Sequence, residues 1–357
     1  MFEQLTYTLA PLLLDDPSTT THMELDYPTR WLLGVVLVLL AVAYAAGWIL
    51  QNKPDSAINP AVLRTFNLKV RAWWMMCAIL VAAVLFGFPT TVMLFGLVSF
   101  WALREFVTMT PTRRGDHRAL FWVFFVFTPL QYVLIGLDRD TYLDLFPNSN
   151  GDFYGLYSIM IPVYASLFIP ARIALSGDHK RFLERSAKIQ AGLLICVYSL
   201  SYAPALLSLE LTDSNNDPWV GSSVGLLFFF VIVVQLGDVF QYIWGKFLGR
   251  RVIAPTINAS RTWEGFFGGV ATTTLVGGLL WKVTPFLFWE AMCMSMVIAV
   301  MGFAGGMTMS AIKRDRGVKD YGTLVQGHVG VLDRIDSICF AAPVFFHLTR
   351  FFFSDFS

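Results

Sequence analysis

From residue 31 to residue 50 the chain runs for twenty residues without a charge. A helix needs about 20 apolar residues to cross the hydrocarbon core of a bilayer, or roughly 17 when short or untilted. Similar uncharged runs occur near residues 73–87, 90–103, 119–137, 154–170, 189–209, 219–237, 266–281, 288–309 and 337–348. Only 14% of the 357 residues are charged and 56% are hydrophobic, whereas a globular protein carries about 25% charged residues. The chain lacks the polar surface to cover itself in water, which excludes a soluble domain. The pattern predicts an all-α fold, a polytopic transmembrane helix bundle of about ten spans. The second and third runs are short and meet at Phe88-Pro89, where proline cannot extend the preceding helix. They are expected to form a tight hairpin or a re-entrant pair.

The net charge of +1 hides a strong asymmetry. Alternate loops hold 22 of the 26 cations against 11 acids, a balance of +11; the other face keeps Arg30, Arg139, Lys282 and Arg350 against 14 acids, a balance of −10. Positive residues are retained on the cytoplasmic side, so both termini are expected outside, on the periplasmic face of a bacterial inner membrane. Residues 1–30 read as a polar external tail lacking the features of a signal peptide. Residues 31–218 read as N-terminal transmembrane helices, and 219–357 as C-terminal ones with cytoplasmic loops at 238–264 and 310–336. Cys77, Cys196, Cys293 and Cys339 fall in apolar runs without metal-type spacing and are expected to be small buried hydrophobes. His117 and His179 lie among basic loop residues and are expected to be solvated, and His347 to sit at an interface in the last run.

Acids on the positive face cluster late in the chain. The loop 310–336 combines cations, four carboxylates, His328 and four glycines, whereas retention alone asks only for positive charge. Lys313, Arg314 and Lys319 suit phosphate oxygens, Arg by its planar fork and Lys as a point charge. Asp320, Asp333 and Asp336 are hard oxygen ligands of the kind Mg²⁺ takes together with substrate phosphates. If a helix begins at Leu332, Asp333 and Asp336 share one of its faces; as acids near a helix N-terminus they also suit a purely capping role. Glycine at 317, 322, 327 and 330 lets backbone approach a phosphate. Phosphoryl-type transfer needs little beyond such positioning and charge neutralisation. A second cluster begins at Asp238, which ends an uncharged run at a depth where an ionisable residue is a functional candidate. It continues through Asn258, Ser260, Arg261, Thr262 and Glu264. Here Asn258 or Ser260 suits an N-cap, and Glu264 a pairing with Arg261. Retention and attraction to anionic lipid explain the cations of the earlier loops.

Ser310, Lys313, Arg314, Lys319, Asp320, His328, Gly330, Asp333, Arg334 and Asp336 fall in a pattern that resembles the phosphatidate cytidylyltransferase (CDP-diacylglycerol synthase) family. That signature reads Ser-x-x-Lys-Arg, four residues, Lys-Asp, a Gly/His turn and Asp-Arg-x-Asp. Asp238, Tyr242 and Arg261-Thr262-Trp263-Glu264-Gly265 echo its upstream block. The likeness covers about the last third of the chain. It implies an integral-membrane nucleotidyltransferase in which phosphatidic acid attacks the α-phosphorus of CTP and releases pyrophosphate. Asp333, Asp336 and Asp238 would hold Mg²⁺. Ser310, Lys313, Arg314, Asn258, Arg261, Thr262 and Glu264 would bind substrate phosphates, and Lys319, Asp320, His328 and Arg334 would act at the reacting groups. CTP, phosphatidic acid or a related lipid phosphate, and membrane lipid are the implied partners, without nucleic acid. Family members form dimers, and Gly268-Gly269 and Gly277-Gly278 would permit close helix contact in a homodimer. The chain departs from the pattern at Val329, where the family has glycine, and at Gly306, where bacterial members often carry Asp. These mark a divergent member.

Other readings stand beside this one. A CTP-dependent kinase of a polyprenol-type lipid would use similar groups, and the departures also suit a non-catalytic member. A transporter would place ionisable residues near the bilayer midplane, whereas these clusters lie at the ends of apolar runs.

Overall fold

The computed structural model describes residues 26–51, 60–110, 112–137, 153–215, 217–318 and 330–354. Among the described residues ten helices follow the ten apolar runs: α1 Tyr27–Gln51, α2 Pro60–Leu85, α3 Phe88–Met109, α4 Arg114–Gly136, α5 Tyr154–Ala174, α6 Phe182–Ser208, α7 Ser223–Leu248, α8 Trp263–Leu279, α9 Phe288–Asp315 and α10 Leu332–Phe353. Eight of them are long and apolar enough to cross a membrane; the exceptions are α2, whose apolar part is Trp73–Leu85, and the 17-residue α8. The chain is therefore an all-α, multi-pass membrane protein. Two packed units are present, one of Leu33–Thr91 and one of Asp26–Leu32 with Val92–Ser357. The strands and the candidate site described below lie in the second.

Of the short pair expected around Phe88-Pro89, the second member is longer than its apolar run. α3 is 22 residues long and carries Arg104 and Glu105 in its last turns. A count of uncharged residues stops where a charged helix end begins, although the helix itself continues. Pro89 falls in the first turn of α3, where a missing N–H costs no helix bond. Gly87, at φ 106°, turns the chain just before it in a conformation that favours glycine.

α7 starts on a cap in which the Ser222 side chain accepts from the Val224 N–H, and it stops at Gly249. Two short antiparallel strands follow, β1 Val252–Ala254 and β2 Asn258–Thr262. α8 leaves β2 directly and lies hard against α7. A Cβ on Gly265 would sit 2.8 Å from the Gln241 carbonyl oxygen, and one on Gly269 would sit 2.4 Å from Gln241 Cγ. Only glycine allows this approach, and it sets β2 beside the end of α7. The glycine pairs read as dimer contacts are engaged within the chain: Gly268 meets Trp244, Gly269 Gln241, Gly277 Ser295 and Gly278 Met292.

The core lies where α6, α7 and α10 meet. Tyr202, Phe229, Phe230 and Phe345 are fully buried there, and Phe230 stacks on Phe345 at 5.2 Å. At the end away from the strands, the Thr212 N–H donates to the carbonyl of Phe353 at 2.9 Å. α10 carries Pro343 in its interior. Of the cysteines, Cys196 and Cys339 are buried, Cys77 is half-buried and Cys293 is exposed on α9, so the expectation of four buried thiols holds for two. His117 and His179 are exposed, while the Nδ1 of His347 shares a hydrogen bond with the Tyr154 hydroxyl at 2.7 Å.

Candidate active site

One end of the second unit gathers the C-terminal ends of α7 and α9, the N-terminal end of α10, and β2. The close α7–α8 approach brings Arg261 of β2 across to α7. Its Nη2 donates to Asp238 Oδ1 at 3.1 Å and its Nη1 to Gln241 Oε1 at 2.8 Å, a fork that engages both residues together. The guanidinium carbon also lies 5.9 Å from the Phe303 ring centroid, a cation–π contact from α9.

From α10, the Ser337 hydroxyl donates to Asp238 Oδ2 at 2.6 Å and lies 3.4 Å from Asp336 Oδ1. That Oδ1 accepts the Ser337 N–H at 2.7 Å. Asp238 and Asp336 thus converge on one hydroxyl. α9 and α10 approach closely here, because a Cβ on Gly305 would lie 2.6 Å from the Asp336 carbonyl oxygen. On the next residue, Gly306, a Cβ would lie 3.3 Å from Arg261 Nη2 and 4.0 Å from Asp336 Oδ2. The bare backbone at Gly306 therefore faces both charges.

α10 begins at Leu332, so Asp333 and Asp336 fall one turn apart, as the spacing predicts. One hydrogen bond of Asp336 goes to Ser337 and one of Asp333 to Lys313. Lys313 Nζ bonds Asp333 Oδ1 at 2.8 Å with both side chains largely buried, 15% and 9% exposed. The three carboxylates expected to form a metal site divide into a converging pair and an ion-paired third. Among the described residues no three metal-ligating side chains come together. The converging pair still fits Mg²⁺, which usually takes one or two carboxylates with substrate phosphates completing its shell.

The other expected phosphate binders are largely engaged by the protein. Asn258 Nδ2 donates to Ser310 Oγ at 3.1 Å, and Ser310 donates to the Gly306 carbonyl at 2.7 Å. Arg314 Nε donates to the Ile257 carbonyl at 3.1 Å and is otherwise exposed. Neither Asn258 nor Ser260 caps α8. Thr262 does, accepting the Gly265 N–H at 3.1 Å. Glu264 does not pair with Arg261 but accepts from the backbone N–H groups of Arg250 and Arg251 at 3.0 and 3.1 Å. These bonds, that of Arg250 first, hold its carboxyl below the usual range. Arg334 is half-buried in the first turn of α10. Lys319, Asp320 and His328 lie outside the described residues.

Three residues were not anticipated. Gln241 stands one turn after Asp238, a polar residue in an apolar helix that the sequence does show. Ser337, beside Asp336, looks like any helix serine. Glu105 of α3 reaches α10 from far upstream: its Oε1 accepts the Val331 N–H at 3.0 Å and its Oε2 the Leu332 N–H at 2.9 Å.

The site thus holds two converging carboxylates, a guanidinium fork, an ammonium and an exposed arginine at one end of the packed helices. The chain as a whole has relatives among known proteins. The model of the cytidylyltransferase family matches residues 67–352. An Escherichia coli K12 protein called uncharacterized protein YnbB is 35% identical over 291 residues, covering 80% of this chain and 87% of that one. A phosphatidate cytidylyltransferase of Staphylococcus haemolyticus is 27% identical over 282 residues, 78% of this chain and 97% of its own length. One from Synechocystis is 39% identical over 116 residues, 32% of this chain and 39% of that one.

Proposed function

Because the chain belongs to the cytidylyltransferase family, we propose that it transfers the cytidylyl group of CTP to the phosphate of phosphatidic acid, forming CDP-diacylglycerol and pyrophosphate. The observation that carries this reading is the meeting of Asp238, Asp336 and Arg261 beside Gly306, with Lys313 and Arg314 at the same end.

A lipid phosphate oxygen attacks the α-phosphorus, and the bond from that phosphorus to the bridging oxygen of the β-phosphate breaks. The nucleophile is already ionised near neutral pH, so no strong base is required. The work left to the protein is to align two anions and offset their charge. Arg261, Lys313 and Arg314 supply positive charge for the triphosphate and the lipid headgroup. Asp238 and Asp336 are the carboxylates that would hold Mg²⁺, which would neutralise triphosphate charge when bound. By the family pattern Lys319, Asp320, His328 and Arg334 position the reacting groups. The charge balance of the loops supports a cytoplasmic position for this end, where CTP is found, in a bacterial inner membrane.

The test supplies purified protein with Mg²⁺, phosphatidic acid and CTP labelled separately at the α- and γ-phosphates. The α label is expected in a chloroform-soluble liponucleotide and the γ label in pyrophosphate. Transfer of the γ label to a lipid would instead identify a kinase. Asp333→Asn is expected to lower product formation at least a hundredfold at normal expression; retained activity would remove Asp333 from the site.

A further inference from the structure

α10 carries Asp333, Asp336 and Ser337, yet its own sequence does not cap it. The N-cap position is Val331, which has no side chain able to accept a hydrogen bond, and no side-chain cap is made there. Asp333, an acid in the first turn, is turned aside to Lys313. The first N–H groups of a helix need acceptors from elsewhere, and these come from Glu105, one carboxylate oxygen to each of the Val331 and Leu332 amides. Trp101 Nε1 donates to Glu105 Oε1 at 3.1 Å from one turn earlier on α3, which fixes the carboxylate in turn.

A cap from a neighbouring residue would satisfy the same amides but tie α10 only to itself. Glu105 ties it to α3. From the other side Gly305 admits the backbone of α10 against α9 at Asp336. The first turn of α10 is thereby located between two helices, and with it the distance from Asp336 to Asp238. The negative charge also meets the positive end of the α10 dipole.

We propose that Glu105 is a positioning residue of the transfer reaction: it sets the place of α10 so that Asp336 can share a cation with Asp238. This rests on the cytidylyltransferase reading above.

The test compares full-length wild type in detergent with Glu105→Gln and Glu105→Ala. Mn²⁺ binding in the presence of CTP is followed by electron paramagnetic resonance, and amide exchange across residues 330–340 by mass spectrometry. Residues that orient metal ligands typically contribute 10–100-fold to metal affinity. Glu105→Ala is therefore expected to weaken Mn²⁺ binding by about tenfold or more and to speed exchange at the start of α10. Glu105→Gln keeps one acceptor oxygen and the shape of the side chain, so it should fall between and remain informative if the alanine variant fails to accumulate. The KM for phosphatidic acid should stay within about twofold of wild type while kcat falls, as for an interaction lost mainly in the transition state. Gln190→Ala, which removes a bond to the Ser166 carbonyl on α5, should leave Mn²⁺ binding unchanged. Faster exchange with unaltered Mn²⁺ binding in both Glu105 variants would overturn the positioning role and leave a structural cap. Wild-type protein that neither binds Mn²⁺ with CTP nor turns CTP over would overturn the cytidylyltransferase reading and this inference with it.

Discussion

Arg261 engages its partners through the geometry of a fork. Nη1 and Nη2 reach Gln241 and Asp238 together, while a lysine at this position would offer one ammonium on a flexible stem. Arg261→Lys keeps the charge and loses one of two hydrogen bonds, and a bond to a charged group is worth about 1.5 kcal/mol at the low end. The KM for CTP is expected to rise about tenfold, with little change in expression, which steady-state kinetics on the purified protein will show. At this scale the sequence was informative about which residues would gather at one end and poor about whom they touch. Asp238, Arg261, Lys313, Asp333 and Asp336 were all recognisable because carboxylates are scarce on a face rich in cations. Their pairing was not, because Arg261–Asp238 and Lys313–Asp333 depend on how helices cross. Glu105 was counted only as one acid among eleven, since a carboxylate that serves amides more than two hundred residues downstream leaves no local pattern.

The helices themselves were legible from hydropathy alone, and each of the ten apolar runs has its helix. Their ends were less so. α3 continues through Arg104 and Glu105 because a charged side chain at a membrane surface does not interrupt the backbone bonds. The β1–β2 hairpin left no apolar alternation to read, as its residues are mostly half-buried or exposed. What places β2 is the α7–α8 contact, and that contact depends on glycine. Gly269→Leu would drive a side chain into Gln241, where even a Cβ has only 2.4 Å. Overpacking of this kind costs about 1–3 kcal/mol, and here it would also move Arg261. The variant should melt at lower temperature in detergent and lose most activity. Gly34→Ala, with nothing within 4 Å of its Cβ, should melt like wild type.

For the whole molecule, the balance of +11 and −10 between faces is a statement about orientation that labelling can check. Single cysteines at Lys246 and Asp213, in a background without the four native ones, should react oppositely to an impermeant maleimide added to intact cells. Asp213 is expected to be labelled and Lys246 to be protected until the membrane is opened; the reverse pattern would invert the topology. The candidate site belongs to one end, and α10 links that end to the other. At its far end the carbonyl of Phe353 is held by Thr212, and between lies Pro343, which removes the amide that would have bonded the Cys339 carbonyl and leaves a joint in the helix. The pairing at Phe353 and the carboxylates near the start of α10 are thus not joined by an unbroken run of helix hydrogen bonds. A change of sequence at the Phe353 end is accordingly expected to leave Mn²⁺ binding in the presence of CTP unaltered, which the same resonance measurement checks.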